Sequence, residues 1–343
     1  MFRELRRIPV LGKVFEFIYV NIFGIYIQSI VIACGGDRTK FFKLHSKWNI
    51  LGLTYLVTDP DEIFHKLQKS TKVSYIGGIP LFSLGLNPNT SIFHNKYNEN
   101  GEEHPYQIPV TILRTIINNI QPLDRFILNE DIDVPRQIKE YVWKSLLQIM
   151  KLEDAFEDTK DDVIMYTKLV TFELMSLPAN TILFFLPHIY INYLKSKIVD
   201  KLWSKWNSGN SQTEISKDQF MYIVQILLFA GINGTAHLAN ACYNNYIDNY
   251  RLKLNTITDT ENNIHTFILE SGQRDPPVTS SAVFDPVEDN IYTLCLTLGM
   301  MNSNQTIIDN LLWNGSDRHN HPRACIGKFL SKQIVTMVVK GFK

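Results

Sequence analysis

The sequence predicts a mainly α-helical protein, and three observations support this prediction. Helical spacing or dense helix-forming residues occur in six segments: 108–120, 136–152, 163–175, 189–206, 263–270 and 326–339. Ser216 and Gln219 form a capping-box pattern before a nearly unbroken apolar run at 220–232, which predicts a long buried helix. The composition, 45% apolar over 343 residues, can fill a sizeable core.

The net charge and the cysteine content limit the classes of protein to which this chain could belong. Lys plus Arg and Asp plus Glu both number 34, so the net charge is zero and no basic excess supports nucleic-acid binding. The four cysteines, Cys34, Cys242, Cys295 and Cys325, are widely scattered and form no disulfide framework. The expected location is therefore intracellular, either cytoplasmic or associated with a membrane.

An apolar segment at 14–34 follows a cluster of basic residues near the start of the sequence and has the length of a membrane-spanning candidate. Glu16, Asn21 and Gln28 interrupt it. We expect a peripheral helix that rests on the core or on a bilayer surface, and the alternative is a true span.

Cys325 is the strongest indication of chemistry. The apolar spacing after Gly327 places Cys325 just before a helix N-terminus, where the unpaired amides and the helix dipole favour a thiolate. Arg323 adds positive charge, and Gly327 allows close approach of a large flat ligand. This arrangement suits an axial thiolate ligand of haem iron. The alternative is a buried structural cysteine at a helix start.

Arg323, Cys325 and Gly327 match in register the Arg-x-Cys-x-Gly of the cytochrome P450 family, which this stretch resembles. The resemblance implies a P450-like fold, mainly α with a small β portion, and haem as cofactor. Cys325 would be the metal ligand, and Arg323 would stabilise the loop or meet a haem propionate. The whole chain, 1–343, would form a single domain of this kind.

Residues 227–235 are similar to the family's central helix, which crosses the haem face and usually contains Ala-Gly-x-acid-Thr. Asn233 replaces the acid, Gly234 replaces the threonine, and Thr235 is one position late. The resemblance assigns Asn233 and Thr235 to orienting the oxygen or peroxide. An amide is not an ordinary general acid. The two glycines predict a local distortion that opens room over a ligand, or else close helix packing.

Residues 268–278 resemble the family's helix that ends in Glu-x-x-Arg before Pro-Pro-Val. Glu270 holds the glutamate position, but Gln273 holds the arginine position and Arg274 is displaced by one. Glu270 and Arg274 stand four residues apart and could pair on one helix face. The resemblance gives both a part in bracing the core around the haem. Taken alone, the segment also fits a solvated helix end.

The resemblance also implies a shortened fold. The length of 343 residues is low for this family, and the interval between Arg274 and Cys325 is brief. Residues 53–61 are similar to the family's strand that leads into a helix, whereas residues 80–210 align with no part of it.

The function implied is a haem-thiolate oxidoreductase, monooxygenase-like, with a hydrophobic small molecule or lipid as substrate and a reductase as partner. A second resemblance, in Asn233 and in Trp313-Asn314-Gly315, is to the branch that rearranges fatty-acid hydroperoxides without reductase or dioxygen. A third alternative is a degenerate, catalytically silent protein of the same fold. His319, His321 and Cys325 could instead bind zinc, although no second ligand pair has the spacing of a structural site.

Overall fold

A computed structural model describes residues 55–69, 71–72, 107–118, 123–183, 185–208, 215–250, 260–278, 281–285, 287–288, 290–301, 303–313 and 325–342. Helices dominate these residues, which confirms the mainly helical class. The apolar segment 14–34 lies outside the described residues, so its peripheral or spanning character remains a prediction.

Eleven α-helices are present in the described residues. In chain order they are α1 (Pro60–Lys69), α2 (Gln107–Asn118), α3 (Val134–Met150), α4 (Phe156–Leu183), α5 (Phe185–Ser208), α6 (Lys217–Ile226), α7 (Asn233–Asn245), α8 (Glu261–Arg274), α9 (Leu296–Met300), α10 (Gln305–Leu312) and α11 (Lys328–Lys340). Every segment with predicted helical spacing falls largely within one of them. The bounds differ by a few residues because caps set them: Asp133 accepts a hydrogen bond from Arg136 N and starts α3 ahead of the predicted position.

Four short strands form one sheet in the order β1-β4-β3-β2. They are β1 (Tyr55–Val57), β2 (Thr71–Lys72), β3 (Ser281–Asp285) and β4 (Asn290–Leu294). β1 runs parallel to β4, whereas β3 pairs antiparallel with both β4 and β2. The predicted strand at 53–61 is thus present as β1, and α1 follows it from Pro60.

A nearly continuous helix, residues 217–250, passes through the fold and is called the central helix. It consists of α6, a π-helical segment at Leu227–Ile232, α7, and a second π-helical segment at Tyr246–Tyr250. The predicted capping box at its start is present, with both the Ser216 and the Gln219 side-chain hydrogen bonds formed. By length and composition residues 217–249 could cross a membrane, and half of the apolar window is buried in the fold.

The middle of the central helix packs against three other helices, α3, α8 and α11. Gly272 lies where α8 meets both α7 and α10: a Cβ built there would stand 2.8 Å from both methyl groups of Leu312 and 2.9 Å from Leu238 Cδ1. The absence of a side chain therefore lets α8 approach its two neighbours. This junction brings α8 and α11 to the same part of the central helix.

Charged contacts link the antiparallel helices α4 and α5. Asp162, 15% exposed, accepts from Lys197 Nζ at 2.8 Å and from Lys201 Nζ at 3.0 Å. Burial alone would raise the pKa of Asp162, but the hydrogen bonds from the two lysines outweigh it and hold the pKa below its usual range.

Asp162 therefore makes stability depend on pH. A carboxylate whose pKa is lower in the folded than in the unfolded chain contributes stability above about pH 4, and this contribution is lost as the pH falls through the folded pKa. We expect Asp162→Asn to remove this contribution. Urea unfolding should then show a smaller loss of unfolding free energy between about pH 5 and pH 2 in the variant than in the wild type. Parallel curves for the two proteins would contradict the assignment.

Candidate functional site

Cys325 lies in a turn directly before α11, as predicted. Lys328 N donates to Cys325 O at 3.3 Å, and Gly327 is the N-cap residue. Cys325 is exposed, whereas the two other described cysteines, Cys242 and Cys295, are buried. Burial raises the pKa of Cys242 to about 12 and that of Cys295 to about 11, so both remain thiols at neutral pH. The alternative of a buried structural cysteine at position 325 is therefore wrong.

Gly327 leaves space beside the cysteine turn. A Cβ built on it would meet no atom of the described chain within 4 Å. Arg323, and the histidines of the zinc alternative, His319 and His321, lie outside the described residues. Within the described part of the chain, no group of three or more His, Cys, Asp or Glu residues is placed to hold a metal ion.

The central helix is open on one side near its π-helical segment. Ala230, in the π-helical segment, is exposed, whereas Leu227 and Leu228 of the same segment are buried. One turn later, a Cβ on Gly234 would meet no described atom within 4 Å, whereas a Cβ on Gly231 would lie 3.3 Å from Leu146 Cδ1 of α3. The predicted distortion is thus present at Leu227–Ile232. The sequence was compatible with either open space or close packing at the two glycines. The structure has both: open space at Gly234 and close packing at Gly231.

Asn233 carries a buried donor on this helix. Its Nδ2 has no hydrogen-bond partner among the described residues, and neither do His237 Nε2 and Asn240 Oδ1. The spacing of four and three residues puts all three side chains on one helix face. An unpaired buried polar group costs about 1–3 kcal/mol, so the Asn233 donor marks a place where a polar ligand would be stabilised.

His237, on the same face of the central helix, is only partly buried and contacts the end of α8. Its side chain is 31% exposed, and Nε2 lies 3.0 Å from Asp275 Oδ1 at the end of α8. The contact lacks the alignment of a hydrogen bond. The contact between His237 and Asp275 could not be predicted from the sequence, because the two residues are 38 positions apart.

Thr235 is directed toward α11. Its Oγ1 lies 3.2 Å from Ser331 Oγ, and this hydrogen bond is buried. Gly234 is the neighbour of Thr235, and Gly327 stands four residues before Ser331, so both open glycines lie close to this contact. Cys325 is six residues before Ser331, in the turn that leads into α11.

Glu270 and Arg274 are both exposed at the end of α8. The guanidinium of Arg274 donates to Asn245 Oδ1 on the central helix, and Asn245 Nδ2 lies 2.9 Å from Ser271 Oγ. Gln273, at the position where the family has arginine, donates to Met300 O at 2.6 Å. The end of α8 is thus tied to the central helix by Arg274 and to α9 by Gln273. Neither tie was predicted, since both depend on residues distant in sequence.

The chemistry of the cysteine turn fits a haem-thiolate group. Gly327 of this turn and Gly234 of the central helix each have open space where a Cβ would stand, as close approach of a flat ligand requires. Iron needs an accessible thiolate, and Cys325 is exposed at a helix N-terminus. The buried Asn233 donor supplies a polar contact on the side of the central helix.

Comparison with solved structures finds cytochromes P450. P450 RauA, in complex with a biosynthetic intermediate of aurachin RE, aligns over 83% of this chain and 82% of its own with 11% identity and a TM-score of 0.54. CxnD, a cytochrome P450 for C–S bond formation in chuangxinmycin biosynthesis, aligns over 83% and 79% with 10% identity and a TM-score of 0.51. Cytochrome P450 CREJ, in complex with (4-ethylphenyl) dihydrogen phosphate, aligns over 89% and 88% with 10% identity and a TM-score of 0.51.

No family model matches the chain, and no curated protein matches it in sequence. The chain has a cytochrome P450-like fold, mainly helical, as the resemblance of the three sequence blocks implied. At these identities the likeness establishes the fold alone, so the activity depends on the residues of the site.

Proposed function

We propose that this protein is a haem-thiolate oxidoreductase of the cytochrome P450 type that acts on a hydrophobic small molecule or lipid. The observation that supports it most strongly is the pairing of an open stretch of the central helix, at Ala230 and Gly234, with the exposed thiol of Cys325. The P450-like fold brings α7 and α11 into contact, so the two features belong to neighbouring helices.

In this proposal Cys325 would hold the haem iron as a thiolate, and Gly327 would allow the haem to lie close to the backbone. Haem bound to a thiolate supplies the cleavage of an oxygen–oxygen bond. Arg323 would stabilise the cysteine loop or meet a propionate through a charge-assisted hydrogen bond. Glu270 and Arg274 brace the core at the end of α8, where Arg274 is tied to Asn245.

On the central helix, the small residues Ala230 and Gly234 leave room for a ligand, and Asn233 would orient it. The Nδ2 donor of Asn233 is buried and would gain a partner from an oxygen atom of a substrate. An amide donates without giving up a proton, so Asn233 can position an oxygen but cannot protonate it. The resemblance gives Thr235 the same part, but its buried hydroxyl donates to Ser331 of α11 instead of being free for the ligand.

The alternative reaction, rearrangement of a fatty-acid hydroperoxide, is favoured by one specific observation. The hydroxyl of Thr235 is engaged with Ser331 on α11, and the acid of the usual pair is replaced by Asn233. A hydroperoxide brings its own oxygen–oxygen bond, so this reaction needs neither an acid nor a free hydroxyl to protonate dioxygen. It also needs no reductase.

Turnover of the haem-loaded protein distinguishes these reactions. One sample receives a P450 reductase, NADPH and dioxygen with a panel of hydrophobic substrates, and the other receives a fatty-acid hydroperoxide without reductase or dioxygen. Product in the first sample alone identifies a monooxygenase, and product in the second alone identifies the hydroperoxide reaction. Bound haem with no product in either would favour the catalytically silent alternative and would contradict the proposed enzyme.

The predicted partners follow from the same proposal. A hydrophobic small molecule or lipid would be the substrate, and a reductase would be required only for the monooxygenase. An intracellular location, in the cytoplasm or at a membrane surface, remains a prediction, because segment 14–34 lies outside the described residues.

A further inference from the structure

Four side chains that flank Cys325 in the sequence form a partly buried cluster of one carboxylate, two ammonium groups and one indole ring, called the loop staple: Asp309, Trp313, Lys328 and Lys332. Lys328 Nζ lies 2.8 Å from Asp309 Oδ2, and Lys332 Nζ lies 2.7 Å from Asp309 Oδ1. The exposed fractions of these side chains are 5% for Lys328, 13% for Asp309 and 22% for Lys332. One carboxylate on α10 thus holds two lysines that stand one turn apart on α11.

Trp313 completes the loop staple. Its buried ring, directly after α10, lies 5.1 Å from Lys332 Nζ and 5.8 Å from Lys328 Nζ, within the range of cation–π attraction. Asp309 and Trp313 precede residues 314–324 in the sequence, and the two lysines follow Cys325. The contacts therefore join α10 and Trp313 to α11 across this interval of the chain.

The loop staple acts on the cysteine turn directly. Lys328 is three residues after Cys325, and its backbone N–H donates to Cys325 O. Lys328 contacts Asp309 through its side chain and Cys325 O through its backbone N–H. The ion pair therefore restrains the turn that carries Cys325. Buried ion pairs are often no more stabilising than apolar pairs of the same volume, so their use here favours a role in geometry.

The surroundings of Asp309 keep its carboxyl group ionised at neutral pH. Burial would raise the pKa of Asp309, but the hydrogen bonds from Lys328 and Lys332 outweigh it and hold the pKa below its usual range. His265 of α8 stands near the same lysines: its burial, followed by the charge of Lys332, lowers its pKa, so the imidazole is neutral at neutral pH.

We infer that Asp309 is a positioning residue, which fixes the first turn of α11 so that the Cys325 thiolate is presented to the haem. The inference rests on the proposed function in one respect, the identity of the group that Cys325 binds. The fixing of the turn by Asp309 is independent of that identity and can be tested without haem.

The test compares Asp309→Asn with a matched control, Asp162→Asn. Asp162 is also held by two lysines one turn apart, Lys197 and Lys201, and is 15% exposed, but it lies between α4 and α5. Both substitutions preserve size and remove one charge. Hydrogen exchange of the haem-free proteins would be measured for the peptide that covers 325–332. We expect about tenfold faster exchange there in Asp309→Asn, and the wild-type rate in Asp162→Asn.

The second readout is the ferrous carbon monoxide spectrum of the haem-loaded proteins. Asp309→Asn should lose most of its thiolate-type band while Asp162→Asn keeps it, and Asp309→Glu, which retains the charge, should recover part of it. If Asp309→Asn fails to fold, Lys332→Met removes one arm of the loop staple and should give intermediate effects in both measurements.

Equal exchange at 325–332 in the two asparagine variants, or an unchanged thiolate band in Asp309→Asn, would overturn the inference. A wild-type protein that holds no haem would instead refute the proposed function. In that case the exchange measurement alone decides whether Asp309 fixes the cysteine turn.

Discussion

Replacing Cys325 by alanine is expected to leave the fold intact and to weaken haem binding by at least about 100-fold. Loss of a supporting contact around a metal ligand typically costs about 10–100-fold in affinity, and removal of the ligand itself should cost no less. The fold should tolerate the change because the Cys325 side chain is exposed. Haem titration into the haem-free protein, followed by Soret absorbance, measures the affinity, and thermal unfolding measures the stability.

Cys295→Ala is the matched control for this prediction. The Cys295 side chain is buried, with 0% relative exposure, so its removal should lower the unfolding free energy by creating a small cavity and leave haem affinity unchanged. If Cys325→Ala bound haem as tightly as the wild type, Cys325 would not be the ligand, whether or not the substitution changed the stability of the protein.

Gly272→Ala is expected to destabilise the haem-free protein by about 1–3 kcal/mol, as overpacking of a tight core does. The new Cβ would lie 2.8 Å from both methyl groups of Leu312 and 2.9 Å from Leu238 Cδ1. Three helices meet at this point, so a shift of Leu312 alone does not relieve the contact with Leu238. Urea unfolding at neutral pH measures the difference.

Gly234→Ala is expected to have the opposite effect on the stability of the haem-free protein. Alanine at this position meets no described atom within 4 Å, and alanine is favoured over glycine in a helix by about 1 kcal/mol. The haem-free protein should therefore become more stable, while the added methyl group narrows the space proposed for haem and its ligand. Equal destabilisation by both substitutions would show that Gly234 is also tightly packed, and the open side of the central helix would be disproved.

The parts of this protein that the sequence predicted are those set by local patterns. The capping box of Ser216 and Gln219, the helix after Cys325 and the strand before Pro60 each depend on residues a few positions apart, and all three are present. The distortion near Gly231 was also predicted, because glycine weakens a regular helix. The order of the three sequence blocks implied the cytochrome P450-like fold.

The features that were missed depend on contacts between distant residues. Thr235 could be placed on the central helix from the sequence, but its partner Ser331 is set by how α7 packs on α11. Gln273 was noted only as a departure from arginine, although it donates to Met300 O. Asp309 belongs to none of the sequence motifs. Its ion pairs with Lys328 and Lys332 depend on how α10 and α11 are placed in the fold. Trp313, compared with a motif of the hydroperoxide branch, has a packing role beside these lysines.

The central claim is that Cys325 gives this P450-like fold a haem-thiolate centre. The most direct measurement is the ferrous carbon monoxide difference spectrum of the purified protein supplied with haem, recorded beside Cys325→Ala. We predict a thiolate-type Soret band in the wild type that is lost in the variant. Absence of bound haem in the wild type, or the same band in both proteins, would contradict the claim.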